Sequence, residues 1–199
     1  MPYLYDCSIC QNRCDGRSRG VYQFRNDVEY SEHFENQLIQ ELIDYGYFAQ
    51  KTERDGYPDI EVYESKGGPL RCFIEVKAQR RSFMSVSRLL PNSDLIPSET
   101  MALNLSDLVR YFEIANQEPV PVYILWVLSE RPCIVPNGQV HFFYQNVEHL
   151  RYIYNRYRDA RRFRRKSGVG DVVNGQHQGV VVNYHFSLQE LLPFNISDI

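Results

Sequence analysis

The clearest structural signal in this chain is residues 57–79, YPDIEVYESKGGPLRCFIEVKAQ. Tyr57–Glu64 is rich in β-branched and aromatic residues that partly alternate with polar ones, which predicts a strand. The Ser-Lys-Gly-Gly-Pro sequence that follows is a strong turn signal, and Leu70–Gln79 predicts a second strand. We therefore expect residues 57–79 to form an antiparallel β-hairpin.

Alternation places two opposite charges on one face of the second strand. Successive side chains point to opposite sides of a strand, so the two faces can be read separately. One face carries Phe73, Glu75, Lys77 and Gln79. The other is wholly apolar and carries Cys72, Ile74, Val76 and Ala78. Burying charges costs several kcal/mol unless they are paired or bind a metal, so this pattern indicates a functional site.

A helix precedes the hairpin and completes an ordered set of motifs. Ser31–Tyr45 has apolar residues at helical spacing, with Ser31 as its cap and Gly46 as its end. The set consists of Glu35, Leu38, Leu42, Gly46-Tyr47, Pro58-Asp59 and Glu75-Val76-Lys77, followed by Gln79. It resembles the PD-(D/E)xK nuclease superfamily, and its helix is similar to the one found in archaeal Holliday-junction resolvases. The resemblance covers residues 31–128.

The resemblance implies an α/β fold with a restriction-endonuclease-like core. In such a core a mixed central β-sheet is flanked by helices, in the order αβββαβ. We expect this core over residues 26–130, preceded by an N-terminal arm with a Cys cluster over residues 1–25. Residues 131–199 would form a C-terminal αβ extension, packed on the core within a single globular unit.

The resemblance also implies a metal site for phosphodiester hydrolysis. Asp59 and Glu75 would ligate Mg²⁺ or Mn²⁺, which prefer hard oxygen ligands, together with the backbone carbonyl of Val76. Glu35 would complete the acidic cluster from the helix. The metal would lower the pKa of a bound water and neutralise charge on the phosphate.

Two further side chains complete the catalytic set that the resemblance implies. Lys77 would orient the attacking water, help to deprotonate it, or stabilise the developing charge. Gln79 would support the site. The alternative is an ordinary hairpin that carries a surface Glu/Lys pair.

Positive charge is concentrated in two segments. Arg80–Pro97 reads as a loop directly after the motif, where it would face the substrate as a lid. Its candidate phosphate-binding residues are Arg80, Arg81 and Arg88. The second segment lies in Val147–Lys166, for which we expect a helix, and its candidates are Arg156, Arg161, Arg162, Arg164 and Arg165. The alternative is a solvated helix face whose aromatic residues pack on the core.

The remaining elements follow from local patterns. Leu103–Ala115 predicts a helix and Val120–Leu128 a buried strand. Gln139–Tyr144 and Gly179–Phe186 predict two further strands. Near the N-terminus, three cysteines have the close spacing of a metal knuckle and could hold Zn²⁺: Cys7, Cys10 and Cys14. The sequence does not identify a fourth ligand, and unligated cysteines are the alternative.

Composition limits the class of protein. The chain has 199 residues, of which 43% are hydrophobic and 24% charged, as in an ordinary globular domain. A net charge of −3 argues against a protein that coats nucleic acid, but it does not exclude a nuclease, whose basic surface can be confined to one face. The sequence has neither an apolar run of membrane-spanning length nor a secretory signal, so we expect a cytoplasmic protein without a membrane partner.

Together these patterns predict a Mg²⁺-dependent endonuclease that hydrolyses phosphodiester bonds in DNA. Restriction, junction-resolving and repair enzymes all fit, and DNA is favoured over RNA. A homodimer would suit an enzyme that makes paired nicks. The alternatives are a nucleic-acid-binding module that has kept the fold without turnover, and a structural or interaction protein. The complete set of Asp59, Glu75 and Lys77 favours the enzyme.

Overall fold

The computed structural model of the chain describes residues 24–80, 82–129, 131, 133–136, 138–164, 172–173, 176–177 and 182–199. Most of the expected N-terminal arm lies outside the described residues, including Cys7, Cys10 and Cys14. Arg81 and Arg165 also lie outside them. Within the described part, no helix has both the length and the apolar character needed to cross a membrane.

The described helices and strands follow one another in mixed order. The helices are α1 (Phe24–Tyr45), α2 (Val86–Leu89), α3 (Leu105–Gln117) and α4 (Val147–Tyr157). The strands are β1 (Phe48–Lys51), β2 (Ile60–Tyr63), β3 (Leu70–Gln79), β4 (Thr100–Asn104), β5 (Val122–Leu128), β6 (His141–Asn146), β7 (Arg162–Arg164), β8 (Val172–Val173), β9 (Gln176–His177), β10 (Val182–Ser187) and β11 (Leu192–Pro193). Short 3-10 turns lie at Pro97–Glu99, Arg158–Arg161, Leu188–Glu190 and Ile196–Asp198.

A mixed central sheet organises the molecule, with its strands in the order β1-β2-β3-β5-β6-β11. β3 and β5 run parallel, and the other neighbouring strands run antiparallel. Helix α1 packs on one face of this sheet, and α3 and α4 pack on the other. Apart from α2 and β4, which lie outside the sheet, the chain from α1 to β5 follows the order α-β-β-β-α-β. The expected fold class, a mixed sheet flanked by helices, is confirmed.

The two faces of β3 contribute to two different apolar clusters. Ile74 and Val76 pack on the α1 side, in a cluster with Leu38 and Leu42. Phe73 packs on the opposite side, with residues of α3, α4 and β5. Each fully buried aliphatic side chain in such clusters contributes roughly 2 kcal/mol. The alternation expected along β3 is therefore confirmed, and it directs the charged side chains of β3 towards α3.

A second sheet, which the sequence analysis did not predict, contains β4, β10 and β7 in antiparallel pairing. Met101 and Leu103 of β4 pack in the same cluster as Tyr184 and Phe186 of β10 and Trp126 of β5. The C-terminal part of the chain also continues the central sheet, because β6 pairs with β5 and β11 pairs with β6. Residues after 131 thus complete both sheets.

Two expected helix boundaries were wrong. Helix α1 begins at Phe24, so Ser31 lies inside it and is not its cap. Its end is as expected, since Gly46 follows with a φ of 116°, which favours glycine. The helix expected over Val147–Lys166 ends at Tyr157, because Arg158 takes a φ of 39° and the chain then turns into β7.

The segment after β3 is not an extended loop. It contains the short helix α2, and it has a small apolar cluster of its own. Val86, Leu90 and Leu95 are buried in that cluster, and Phe83 and Phe163 pack against it. The aromatic contact joins this segment to β7, with 5.5 Å between the ring centroids of Phe83 and Phe163.

Candidate active site

Asp59 lies just before β2, opposite Glu75 of the neighbouring strand β3. In the antiparallel pairing Ile60 is opposite Ile74, so the same register places Asp59 opposite Glu75. The backbone N–H of Val76 donates a hydrogen bond to Asp59 Oδ2 at 2.8 Å. Burial, followed by the negative charge of Glu75, raises the pKa of Asp59 to about 7. The site therefore disfavours a second negative charge, and a bound cation would stabilise it.

Glu75 occupies a central strand and is only 2% exposed. Its Oε1 forms an ion pair with the ammonium group of Lys77. Its Oε2 is buried and has no hydrogen-bond partner within the described part of the chain. A buried acceptor left unsatisfied costs about 1–3 kcal/mol, and more when it is charged. A cation bound at Oε2 would remove this cost.

Lys77 shares the face of Glu75 and remains about one-third exposed, with a side-chain exposure of 33%. Burial opposes the positive charge, but the carboxylates of Glu75 and Asp59 outweigh it and raise the pKa of Lys77. The ammonium group is therefore charged at neutral pH. It can donate hydrogen bonds or neutralise an anion at the site, and it cannot act as a base while both carboxylates are ionised.

Glu35 approaches the site from α1. Its side chain is 12% exposed and forms an ion pair with Lys51 of β1, at 3.0 Å between Glu35 Oε2 and Lys51 Nζ. The negative charge of Glu35 contributes to the raised pKa of Asp59. Glu35 thus acts electrostatically on Asp59, while its own carboxylate is paired with a lysine.

Gln79 lies at the end of β3 and makes a contact between the two sheets. Its Oε1 accepts a hydrogen bond from the backbone N–H of Ala102 in β4, at 2.9 Å. This bond fixes the end of β3 relative to β4. Gln79 therefore holds the end of β3 against β4, close to Glu75 and Lys77 in the same strand.

Helix α3 adds three side chains that the sequence analysis did not select. The negative charge of Asp107 acts on Lys77, and burial together with the charge of Glu75 raises the pKa of Tyr111. Arg110 donates from Nη2 to Asp107 Oδ1 at 3.0 Å. The three residues are spaced i, i+3 and i+4, and so share one helix face. That spacing was readable in the sequence, but only the apolar residues of this helix were selected there.

The donor set fits a hard divalent cation, although the described residues contain no ready-made cluster of ligands. No group of three or more His, Cys, Asp or Glu side chains among them is arranged to hold a metal. The ion pairs explain this, because Lys77 engages Glu75 and Lys51 engages Glu35. Paired carboxylates and the unsatisfied Oε2 of Glu75 are nevertheless the oxygen donors that Mg²⁺ and Mn²⁺ prefer.

The expected phosphate-binding arginines divide into exposed and buried ones. Arg161 is 2% exposed and forms a two-point ion pair with Glu190, at 2.8 and 2.6 Å. Its assignment to nucleic-acid binding is therefore wrong, because its guanidinium is fully engaged inside the protein. Five other candidates are exposed or partly exposed: Arg80, Arg88, Arg156, Arg162 and Arg164. Arg80 lies over the ring of Tyr30 at 4.7 Å.

Comparison with known proteins gives a distant likeness to a solved structure. No protein-family model matches the chain. No curated protein matches it either. A solved structure that is similar to it is Hjc of Archaeoglobus fulgidus, described as a Holliday junction resolvase from an archaeal hyperthermophile. The sequence identity is 14%, the match covers 83% of this chain and 92% of that one, and the TM-score is 0.44. Proteins this far apart can differ in activity, so the functional assignment depends on the chemistry of the site.

Proposed function

We propose that this chain is a divalent-metal-dependent nuclease of the PD-(D/E)xK type, which hydrolyses phosphodiester bonds in DNA. The observation that carries the proposal is the pairing of two carboxylates, Asp59 and Glu75, beside Lys77, with one buried carboxylate oxygen left unsatisfied. An unsatisfied buried carboxylate oxygen needs an explanation, and a bound cation would provide one.

Each residue has a distinct role in the proposed reaction. Asp59 and Glu75 would hold Mg²⁺ or Mn²⁺, with the Val76 carbonyl as a further ligand and Glu35 contributing from the side. The metal would supply an activated water and neutralise charge on the phosphate. Lys77, protonated between its two carboxylates, would donate to the water or to a phosphate oxygen and so orient the attack.

DNA as the substrate rests on the charge of the exposed surface. Arg88, Arg156, Arg162 and Arg164 have exposed side chains, which suits contact with phosphates outside the site. Because the chain has a net charge of −3, we expect such contacts on only part of the surface. Whether the enzyme prefers a junction, a duplex or a single strand would depend on this surface, since the same carboxylate pair serves all of them.

A second candidate is a DNA-binding module without turnover. One observation favours it: the ammonium groups of Lys77 and Lys51 already neutralise Glu75 and Glu35. In such a protein the lysine ammonium groups would permanently occupy the position of the metal. It would bind DNA equally well with Mg²⁺ and with EDTA, and would leave every DNA intact.

The test is cleavage of a labelled four-way junction, linear duplex, single strand and supercoiled plasmid in Mg²⁺, Mn²⁺ or EDTA. We expect cleavage only with metal, and a loss of at least about 100-fold in Asp59→Asn and in Lys77→Ala, because each removes a direct contribution to the transition state. Lys66→Ala is the matched control, since Lys66 is exposed in the hairpin turn at the far end of β2 and β3. Cleavage that persists unchanged in Asp59→Asn would overturn the proposal.

A further inference from the structure

We infer that Arg110 is a substrate-binding residue, which contacts a phosphate of the nucleic acid next to the bond that is cut. The inference rests on the proposed nuclease function and adds a specific residue of α3 to it. Arg110 is not among the basic residues that the sequence indicated, because it is the single basic residue of a helix that also carries Asp107 and Glu113.

The first argument is the position of Arg110 on the face of α3 that borders the site. Asp107 and Tyr111 lie three residues before it and one after it. Asp107 acts electrostatically on Lys77, and Tyr111 is 1% exposed on the same side of the sheet as Phe73. The negative charge of Glu75 reaches Arg110 itself. Arg110 therefore lies beside the carboxylate pair.

The second argument is the close approach of Arg110 to the loop that leads into Asp59. Gly56 has a φ of 77°, and a Cβ atom built on it would lie 3.4 Å from Arg110 Cδ. The aliphatic stem of the arginine thus packs on a backbone segment three residues before Asp59. This packing fixes the distance between the guanidinium and the proposed metal-binding strand, which a substrate-positioning group requires.

The third argument is the unused hydrogen-bonding capacity of the guanidinium. Nη2 is bonded to Asp107, but Nε is buried and has no hydrogen-bond partner in the described part of the chain. The side chain as a whole is 42% exposed, so its outer edge is open to solvent. Tyr111 also makes a side-chain hydrogen bond with Arg110, so the exposed outer edge of the guanidinium, and not the buried Nε, is the part that can donate to a phosphate.

Charge balance also requires a cation in this place. The site concentrates Asp59, Glu75, Glu35 and Asp107, which together repel a phosphodiester. Lys77 and Lys51 are each paired with a carboxylate. Arg110 is paired with Asp107 through one Nη atom, and its side chain is 42% exposed. It can therefore attract substrate without giving up its existing ion pair.

The test compares Arg110→Ala, Arg110→Lys and the control Lys66→Ala with the parent protein. The measurements are the Kd for a fluorescein-labelled duplex in EDTA at several salt concentrations, the KM and kcat for its cleavage in Mg²⁺, and the Tm. Arg110→Ala should raise Kd and KM about tenfold, with a smaller effect on kcat, and should reduce the salt slope of binding by roughly one. Arg110→Lys should recover part of the affinity, because it keeps the charge and loses the two-point geometry.

A purely structural arginine would behave differently. It would lower the Tm while leaving the KM and the salt slope of the folded protein unchanged, and that result would overturn the inference. An equal rise in KM in Lys66→Ala would overturn it too, because the effect would then be one of net charge. If the parent itself cuts no DNA in Mg²⁺, the proposed function fails and the inference falls with it. If the parent cuts and Arg110→Ala matches its Kd and KM, the inference alone fails.

Discussion

At Asp59, burial and the neighbouring carboxylate of Glu75 act in the same direction, and together they raise the pKa to about 7. The backbone N–H of Val76 offsets only part of this effect. A raised pKa in a buried acid means that its ionised form is destabilised in the folded protein. Such pairs are common where a protein binds a cation or performs catalysis, which is the physical reason for assigning function to this position.

Sequence predicted the pair of carboxylates but not their partners. The hairpin register followed from the turn signal, and strand alternation then placed Glu75 and Lys77 on one face. The ion pair between Glu35 and Lys51 depends on the rotation of α1 against β1, which no local pattern encodes. Arg110 was missed for a similar reason, since its importance lies in a contact with a loop that is 54 positions earlier.

The buried His185 side chain predicts how the stability of the protein changes with pH. It is 3% exposed, its Nδ1 lies 3.1 Å from the carbonyl of Arg161, and burial lowers its pKa from 6.5 to about 4. Below pH 6.5 the unfolded chain therefore binds a proton that the folded protein does not. The stability that neutral His185 provides is complete above that pH and is lost as the pH falls towards 4.

The measurement is urea unfolding of the parent and of His185→Gln at several pH values. The free energy of unfolding of the parent, minus that of the variant, should decrease by about 3 kcal/mol on going from pH 6.5 to pH 4. Taking the difference removes the contribution of Asp59 to the free energy of unfolding, because Asp59 is present in both proteins. Its raised pKa has the opposite effect on stability. Parallel pH curves for the two proteins would contradict the buried, neutral state of His185.

Among the secondary-structure elements, the basic segment after α4 departs furthest from its sequence pattern. The spacing of its aromatic residues favoured one long helix, yet the helix ends at Tyr157. The side chain of Arg161 turns inward, where it bonds to Glu190 and to the carbonyl of Ser93. Its guanidinium also lies 3.6 Å from the ring centroid of Tyr157. Glu190 and Ser93 are distant from Arg161 in sequence, so helical periodicity could not reveal the break.

Two neighbouring arginines in this segment should therefore respond differently to substitution. Arg161→Ala should destabilise the protein by about 3 kcal/mol, because it leaves Glu190 without its buried partner. Arg162→Ala should change the stability by less than about 0.5 kcal/mol, since its ion pair with Asp159 is exposed to solvent. Arg162→Ala is also expected to weaken DNA binding and to reduce its dependence on salt.

Denaturant unfolding and DNA-binding titrations of both variants check this division. Equal stability of the two variants would show that the Arg161–Glu190 pair contributes little. A loss of DNA affinity in a folded Arg161→Ala protein, with none in Arg162→Ala, would reverse the assignment of the exposed and buried residues.

Across the whole molecule, the central sheet was predictable and the second sheet was not. The expected core order came from the resemblance, which rests on motifs that are close together in sequence. The pairing of β4 with β10 joins Thr100 to Ser187, and no short-range pattern links such distant segments. β4 also directly precedes α3, and its last two residues, Leu103 and Asn104, were assigned to the start of the expected helix.

This larger architecture explains why the carboxylates can remain buried as a pair. The apolar cluster on the α1 side holds β2 and β3 in register, and the cluster on the α3 side closes the opposite face. The bond from Gln79 to β4 fixes the end of the strand that carries Glu75 and Lys77. A rigid scaffold of this kind maintains ligand geometry before any cation arrives.

A titration with Mn²⁺, followed by isothermal calorimetry on the metal-free protein, tests the central claim most directly. The parent should bind Mn²⁺, and Lys77→Ala should bind it at least as tightly, because the ammonium group no longer competes for Glu75. Asp59→Asn should lose this binding, while Asp55→Asn, which changes an exposed loop carboxylate, should retain it. Mn²⁺ binding that is the same in Asp59→Asn as in the parent would contradict a metal site formed by Asp59 and Glu75.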